Sequence, residues 1–139
     1  MKTVFLDTGP LVALFSRRDQ FHHWASTELN FDQLRLVTCE PVLTELFFLT
    51  RNSDKVIYAI SGLIKDGLLF VESGLSLSPV DFFKQIRKYQ DIGTSFADIS
   101  LVQLYNQNNN SEILTTDSDF LVYRDSKGKP LRLISPYLG

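Results

Sequence analysis

The chain has 139 residues, 44% hydrophobic and 22% charged, which suits one ordinary globular domain with its own core and excludes a low-complexity or disordered chain. The formal net charge of -2 lacks the basic excess that nucleic-acid binders often carry, and the one cysteine, Cys39, cannot form an intrachain disulfide. Asp7 interrupts the apolar amino terminus with no small-residue cleavage site after it, and no stretch nears the ~20 apolar residues of a membrane helix, so a cytoplasmic protein is expected.

Thr3-Val4-Phe5-Leu6 predicts a buried strand, being rich in β-formers without polar alternation. Gly9-Pro10 turns the chain, and Pro10 suits the first turn of a helix carrying Leu11 to Phe15. Asp19 is placed to cap a second helix through Leu29, on which His22 and His23 point in different directions and suit packing or surface better than ligation. Arg35 to Thr38 predict a second strand. Cys39 follows as a small buried filler, and Pro41 opens a helix to about Thr50. Ser53 caps the next helix, with Val56, Ile57, Ile60 and Ile64 at helical spacing. Leu68 to Val71 form a third strand, and Ser78-Pro79 start another helix. Ser95 begins the helix of Phe96, Ile99, Val102 and Tyr105; Glu112 to Thr115 give a fourth strand, Asp119 to Tyr123 a short helix, and Leu131 to Ile134 a fifth strand. No repeat or linker divides residues 1–139. Strands alternating with helices imply an α/β fold, a mostly parallel sheet covered on both faces.

In such a sheet, ligands bind beyond the carboxyl ends of the strands, where strand order reverses. Asp7 ends the first strand and Asp117 follows the fourth, so neighbouring strands would bring the two acids together. Glu45, one turn into the helix opened by Pro41, and Asp98, three residues after Ser95, sit on helices able to face the same edge. Each has a plainer explanation. Ser95-x-x-Asp98 resembles a capping box, Asp119 suits the cap of the short helix after it, and Glu45 alone would be an ordinary surface residue. Asp117 is the better metal-facing acid and Asp119 the auxiliary one.

The set is more informative than its members. Four carboxylates in one crevice raise one another's pKa and oppose folding unless a cation or protons neutralise them. Carboxylate oxygens match Mg2+ or Mn2+, and no Cys/His cluster offers a zinc alternative. A hard divalent ion that keeps several waters suits hydrolysis of a phosphodiester by a positioned, activated water, with no nucleophilic side chain. Neutralised acids would also leave the remaining surface net positive. Arg17-Arg18, the Lys84/Arg87/Lys88 group and the Arg124-to-Arg132 group are its basic clusters.

At these residues the sequence resembles the PIN-domain nucleases, and within them the VapC-like toxins of bacterial toxin–antitoxin pairs. The likeness covers essentially the whole chain. Val4-Phe5-Leu6-Asp7-Thr8-Gly9-Pro10 is similar to the opening motif, Leu43-Thr44-Glu45-Leu46 to the helix carrying the glutamate, Phe96-Ala97-Asp98-Ile99 to the third acidic motif, and Thr115-Thr116-Asp117-Ser118-Asp119-Phe120 to the fourth. The resemblance implies a three-layer α/β/α sandwich with a five-stranded sheet of order 3-2-1-4-5. It also implies a Mg2+- or Mn2+-dependent endoribonuclease that is inhibited by a small antitoxin and frequently dimeric. By the same match Asp7, Glu45, Asp98 and Asp117 would hold the metal, with Thr8, Thr115 and Thr116 as supporting hydrogen-bond residues. Many relatives carry a basic residue near the third acid. Ser95-Phe96-Ala97 stands there instead, so phosphate contact is expected from Arg17, Arg51 or Arg124.

Two other classes compete. A catalytically silent PIN-like module would bind RNA or protein without cutting, although complete acidic motifs argue against it. A phosphoaspartate enzyme or receiver domain would want Asp-x-Asp or paired acids after the first strand, where this chain has Asp7-Thr8-Gly9. The pairs Phe47-Phe48 and Phe82-Phe83 cannot all point inward on a helix, so some interface use is expected of them.

Overall fold

The computed structural model describes residues 1–138. Its centre is a five-stranded, wholly parallel sheet of order β3-β2-β1-β4-β5, built from Lys2–Leu6 (β1), Leu34–Thr38 (β2), Leu69–Val71 (β3), Ser111–Leu114 (β4) and Leu133–Ile134 (β5). Val4, Phe5, Leu6, Leu36 and Val37 are completely buried, as strands covered on both faces must be. The helices are Thr8–Phe15 (α1), His22–Glu28 (α2), Glu40–Leu49 (α3), Asp54–Lys65 (α4), Gly74–Leu77 (α5), Pro79–Lys88 (α6) and Phe96–Asn106 (α7). Right-handed crossovers put α1 to α4 on one face and α5 to α7 on the other. The order reverses at β1, where the chain moves outward to β2 and β3 and then returns to β4. That reversal opens a crevice at the carboxyl ends of β1 and β4, whose last residues, Leu6 and Leu114, lie side by side.

Helix α7 is the internal strut. Residues 97 to 105 are all buried, so it cannot be amphipathic, and its apolar residues cover β1 and β4 while also meeting α3, α5 and α6. Asp98, Ser100 and Gln103 are polar exceptions on this helix. Ser95 caps it by accepting the Asp98 N–H at 2.9 Å, as Ser53 caps α4 by accepting from Val56.

Several local expectations need correction. Helix α2 begins at His22, and Asp19 instead accepts the Phe21 N–H in a turn before it. The short segment after β4 is a 3-10 turn over Ser118–Leu121, capped by Asp117 and not by Asp119. On α4 only Val56 and Ile60 are buried, while Ile57 and Ile64 are about two-fifths exposed. Helix α5 has no period long enough to be visible in sequence. It sits so close to α7 that a Cβ on Gly74 would stand 2.3 Å from the Ser100 carbonyl oxygen. Gly74→Ala should therefore destabilise the fold by ~1–3 kcal/mol, because backbone must shift to admit one methyl. A urea melt with an unchanged midpoint would refute that close approach.

Candidate metal centre

Each acid reaches the crevice through a different element. Asp7 leaves β1 in extended conformation and starts α1, its N–H still bonded to the Leu114 carbonyl at 3.0 Å. Asp117 lies three residues past β4. Asp98 comes in from the first turn of α7. One carboxylate oxygen from each of these three lies within 4.8 Å of the others, forming the one group of this kind among the described residues. Glu45 and Asp119 stand outside that trio but line the same cleft of about 680 Å3, together with Thr8, Gly9 and Thr116. Glu45 is exposed on α3. The structure thus gathers all five sequence-selected acids at one opening and draws three of them into mutual contact range.

The hydroxyl groups explain how the acids are held. Thr115 Oγ1 donates to Asp7 Oδ2 at 2.6 Å and accepts the Asp117 N–H at 2.9 Å, tying together acids from neighbouring strands. Thr8 Oγ1 donates to Glu45 Oε2 at 3.1 Å, linking α1 to α3. Thr116 makes a steric contribution: its Oγ1 lies 2.0 Å from where a Cβ on Gly9 would stand, so Gly9 leaves room for it.

Tyr123 is the residue that sequence reasoning missed. Its hydroxyl donates to Asp98 Oδ2 at 2.7 Å and, with that proton committed, accepts from Thr94 Oγ1 at 2.7 Å. Burial pushes its phenol pKa up, so it stays a donor. Phe120 and Tyr89 pack edge-on against its ring at 5.1 and 4.9 Å and fix its direction. No spacing rule links Asp98 to a tyrosine 25 residues away.

The electrostatics match the geometry. Asp7 is only 5% exposed, and burial followed by the Asp98 charge raises its pKa from 3.8 to about 7, despite the opposing bonds from Thr115 and the Thr8 backbone. Asp98, 7% exposed, is raised to about 6 by burial and by Asp117, against the lowering bond from Tyr123. No Lys, Arg or His lines this cleft to relieve them. The donor set is entirely carboxylate, which fits a hard divalent cation and not zinc. The two histidines stay apart from it: His22 Nδ1 meets the Ala13 carbonyl at 2.7 Å, and His23 is exposed. Cys39 is buried, its thiol pKa pushed up to about 12, and so is no nucleophile. Of the expected phosphate contacts, Arg17 and Arg51 are exposed, but Arg124 gives its Nη1 to the carbonyls of Leu121, Val122 and Tyr123. Arg124 is a clamp on the turn behind the site.

No family model and no curated protein matches the chain. Among solved structures it is similar to a chain of the crystal structure of VapBC2 from Rickettsia felis bound to a DNA fragment from their promoter. The TM-score is 0.58 at 15% sequence identity, over 96% of this chain and 98% of that one, which is a likeness of fold.

The pKa shifts fix the sign of a pH effect. From about pH 4 up to about 6 for Asp98 and about 7 for Asp7, the native protein holds protons that the unfolded chain has released, so these two groups make stability fall as pH rises. In EDTA, wild type should lose stability over that window relative to the Asp7→Asn/Asp98→Asn double variant. Millimolar Mn2+ should restore it above pH 7 and do little at pH 5, where protons hold the ligands. Melting curves whose difference runs the other way would contradict the assignment.

Proposed function

We propose that residues 1–139 form a PIN-like endoribonuclease domain that hydrolyses RNA phosphodiester bonds with Mg2+ or Mn2+, acting as the toxin of a toxin–antitoxin pair. The observation that carries this reading is the convergence of Asp7, Asp98 and Asp117 oxygens within 4.8 Å, in a cleft without a protein cation. A site so arranged is incomplete until a divalent ion enters. The four matched sequence motifs and the fold shared with a VapBC2 chain support the substrate class and the toxin role.

In this reading Asp7, Asp98 and Asp117 hold the ion, and Glu45 completes the ligand set or receives the proton of the attacking water. A bound Mg2+ or Mn2+ supplies Lewis-acid charge to the phosphoryl oxygens and a lowered pKa to water. Thr115 keeps Asp7 and Asp117 at a fixed separation, and Tyr123 points one oxygen of Asp98 away from the cleft while leaving the other free. Asp119, at the mouth beside Asp117, adds negative charge that draws a cation and its waters. An antitoxin and a second copy of the chain are the expected partners. The exposed apolar residues of α3 and α4, among them Phe48 at 73% and Tyr58 at 83%, are the surface available for one of them.

Purified protein should cleave single-stranded RNA with Mg2+ or Mn2+ and stop in EDTA. Asp7→Asn or Asp98→Asn should each reduce the rate by at least about 100-fold, and Tyr123→Phe by about 10- to 100-fold, with activity partly regained at higher metal concentration. Cleavage that survives both Asp→Asn changes would place the activity elsewhere. RNA bound but never cut, at any metal concentration, would make the protein a silent binding module.

A further inference from the structure

Glu45 lines more than the acid cleft. The same side chain borders a second cleft of about 790 Å3, set between the start of α3, the end of β3, α5 and the first turn of α7. This volume lies within the ~300–1,000 Å3 usual for small-molecule pockets. Its chemistry differs from that of its neighbour. Phe96, Leu75 and Pro41 give it apolar walls, seryl and threonyl hydroxyls and the carboxylates Glu40 and Glu72 give it polarity, and no Lys, Arg or His lines it. Arg35 holds Glu72 at 2.9 Å, whereas Glu40 has no ion pair among the described residues.

Phe96 is the notable wall. Its ring packs on Phe82 at 4.5 Å and on Phe83 at 6.5 Å, yet the residue remains 44% exposed. It is thus braced from behind with surface left open at the cleft. A phosphate placed here would be repelled by Glu40, Glu45 and Glu72, with no cation among the lining residues to offset them. An uncharged planar base would not: its faces stack on an aromatic ring, and its amino and imino groups donate to a carboxylate.

We propose that this second cleft is a nucleobase pocket for the nucleotide next to the scissile phosphate, with Phe96 as the stacking platform and Glu40 as acceptor for the donor edge of the base. The proposal rests on the ribonuclease reading above and deepens it by locating sequence preference. Glu45 separates the two clefts, so a strand crossing it places phosphate over the acids and a base beside Phe96. Gly74 and Ser100 line the pocket, and the close approach of α5 to α7 shapes it.

The test is cleavage kinetics in Mn2+ on single-stranded RNA oligonucleotides that vary the bases beside the cut, with matched oligonucleotides abasic at those positions. Phe96→Ala should raise KM about 5- to 150-fold, the loss of one stacked base, with a much smaller change in kcat. Phe96→Tyr should stay near wild type. Wild type should lose a similar factor on one abasic oligonucleotide, and Phe96→Ala should lose nothing more on it. Glu40→Gln should change the ranking of the four bases. Phe96→Leu, which keeps packing against Phe82 but has no aromatic face, replaces Phe96→Ala if the latter melts early. A wild-type KM in Phe96→Ala or Phe96→Leu, or an equal abasic penalty in wild type and variant, overturns the pocket. So does a change in sedimentation with KM unaltered, which would make the cleft a subunit interface. A wild-type protein that cuts no RNA defeats the ribonuclease reading and the pocket with it, whereas normal KM in Phe96→Ala defeats the pocket alone.

Discussion

Burial of Asp7 and Asp98 beside one another is the constraint around which the rest of the carboxyl edge is organised. Removing a carboxylate from water is expensive, and a second carboxylate nearby adds to the cost. Both effects act here, and they keep a proton on Asp98 up to about pH 6 and on Asp7 up to about pH 7, whereas both are ionised well below that in the unfolded chain. A fold tolerates such a pair only when its remaining core is sound. The sheet supplies that soundness through completely buried Val4, Phe5, Leu6, Leu36 and Val37, and α7 adds Ile99, Leu101 and Val102 against it. Uncompensated charge in this crevice is therefore an energetic debit carried by the core, which a divalent cation in place of the protons would relieve.

Repulsion alone would splay the acids apart, so each is tethered from a different direction. Thr115 holds Asp7 while accepting from the backbone of Asp117; Tyr123 holds Asp98; Thr8 holds Glu45. The tethers come from strand ends and from a turn stiffened by Arg124 and the Phe120–Tyr123–Tyr89 ring stack. Fixed donors leave specific carboxylate oxygens free, which is how outer groups tune a metal site. Asp117 also caps the 3-10 turn that carries Phe120, so one residue serves the local backbone and the site together.

The strands and most helices were legible because their signals are local. Apolar runs without alternation mark β1 and β2, and Ser53 and Ser95 announce helices through the residue type that a cap requires. Sheet order was available only as an implication of the resemblance to PIN-domain nucleases, since topology is a property of the whole chain. The meeting of Asp7 and Asp117, in contrast, was expected from their places after two strands if those strands are neighbours. What stayed hidden depends on tertiary contact. Tyr123 looks like any core aromatic until Asp98 is found beside its hydroxyl. Four-residue α5 has no period to detect. Asp19 and Asp119 are plausible caps by type, but the former serves a turn and the latter lies one residue inside the 3-10 turn that Asp117 caps. Arg124 illustrates the same limit, its Nη1 meeting three backbone carbonyls that no sequence pattern announces.

Under the ribonuclease reading proposed above, an acidic protein must attract a polyanion, and its charge distribution bears on how it would do so. Apart from Asp7, Glu45, Asp98 and Asp117, the chain carries more basic than acidic side chains, a small positive surplus. The cations that create this surplus line neither cleft of the carboxyl edge, and Arg17 and Arg51 are exposed. Attraction of a polyanion therefore depends on the occupancy of the acid cleft itself. Under the same ribonuclease reading, proton loss from Asp7 and Asp98, cation entry and RNA affinity would be linked, and substrate binding would track divalent-ion binding before any bond is cut.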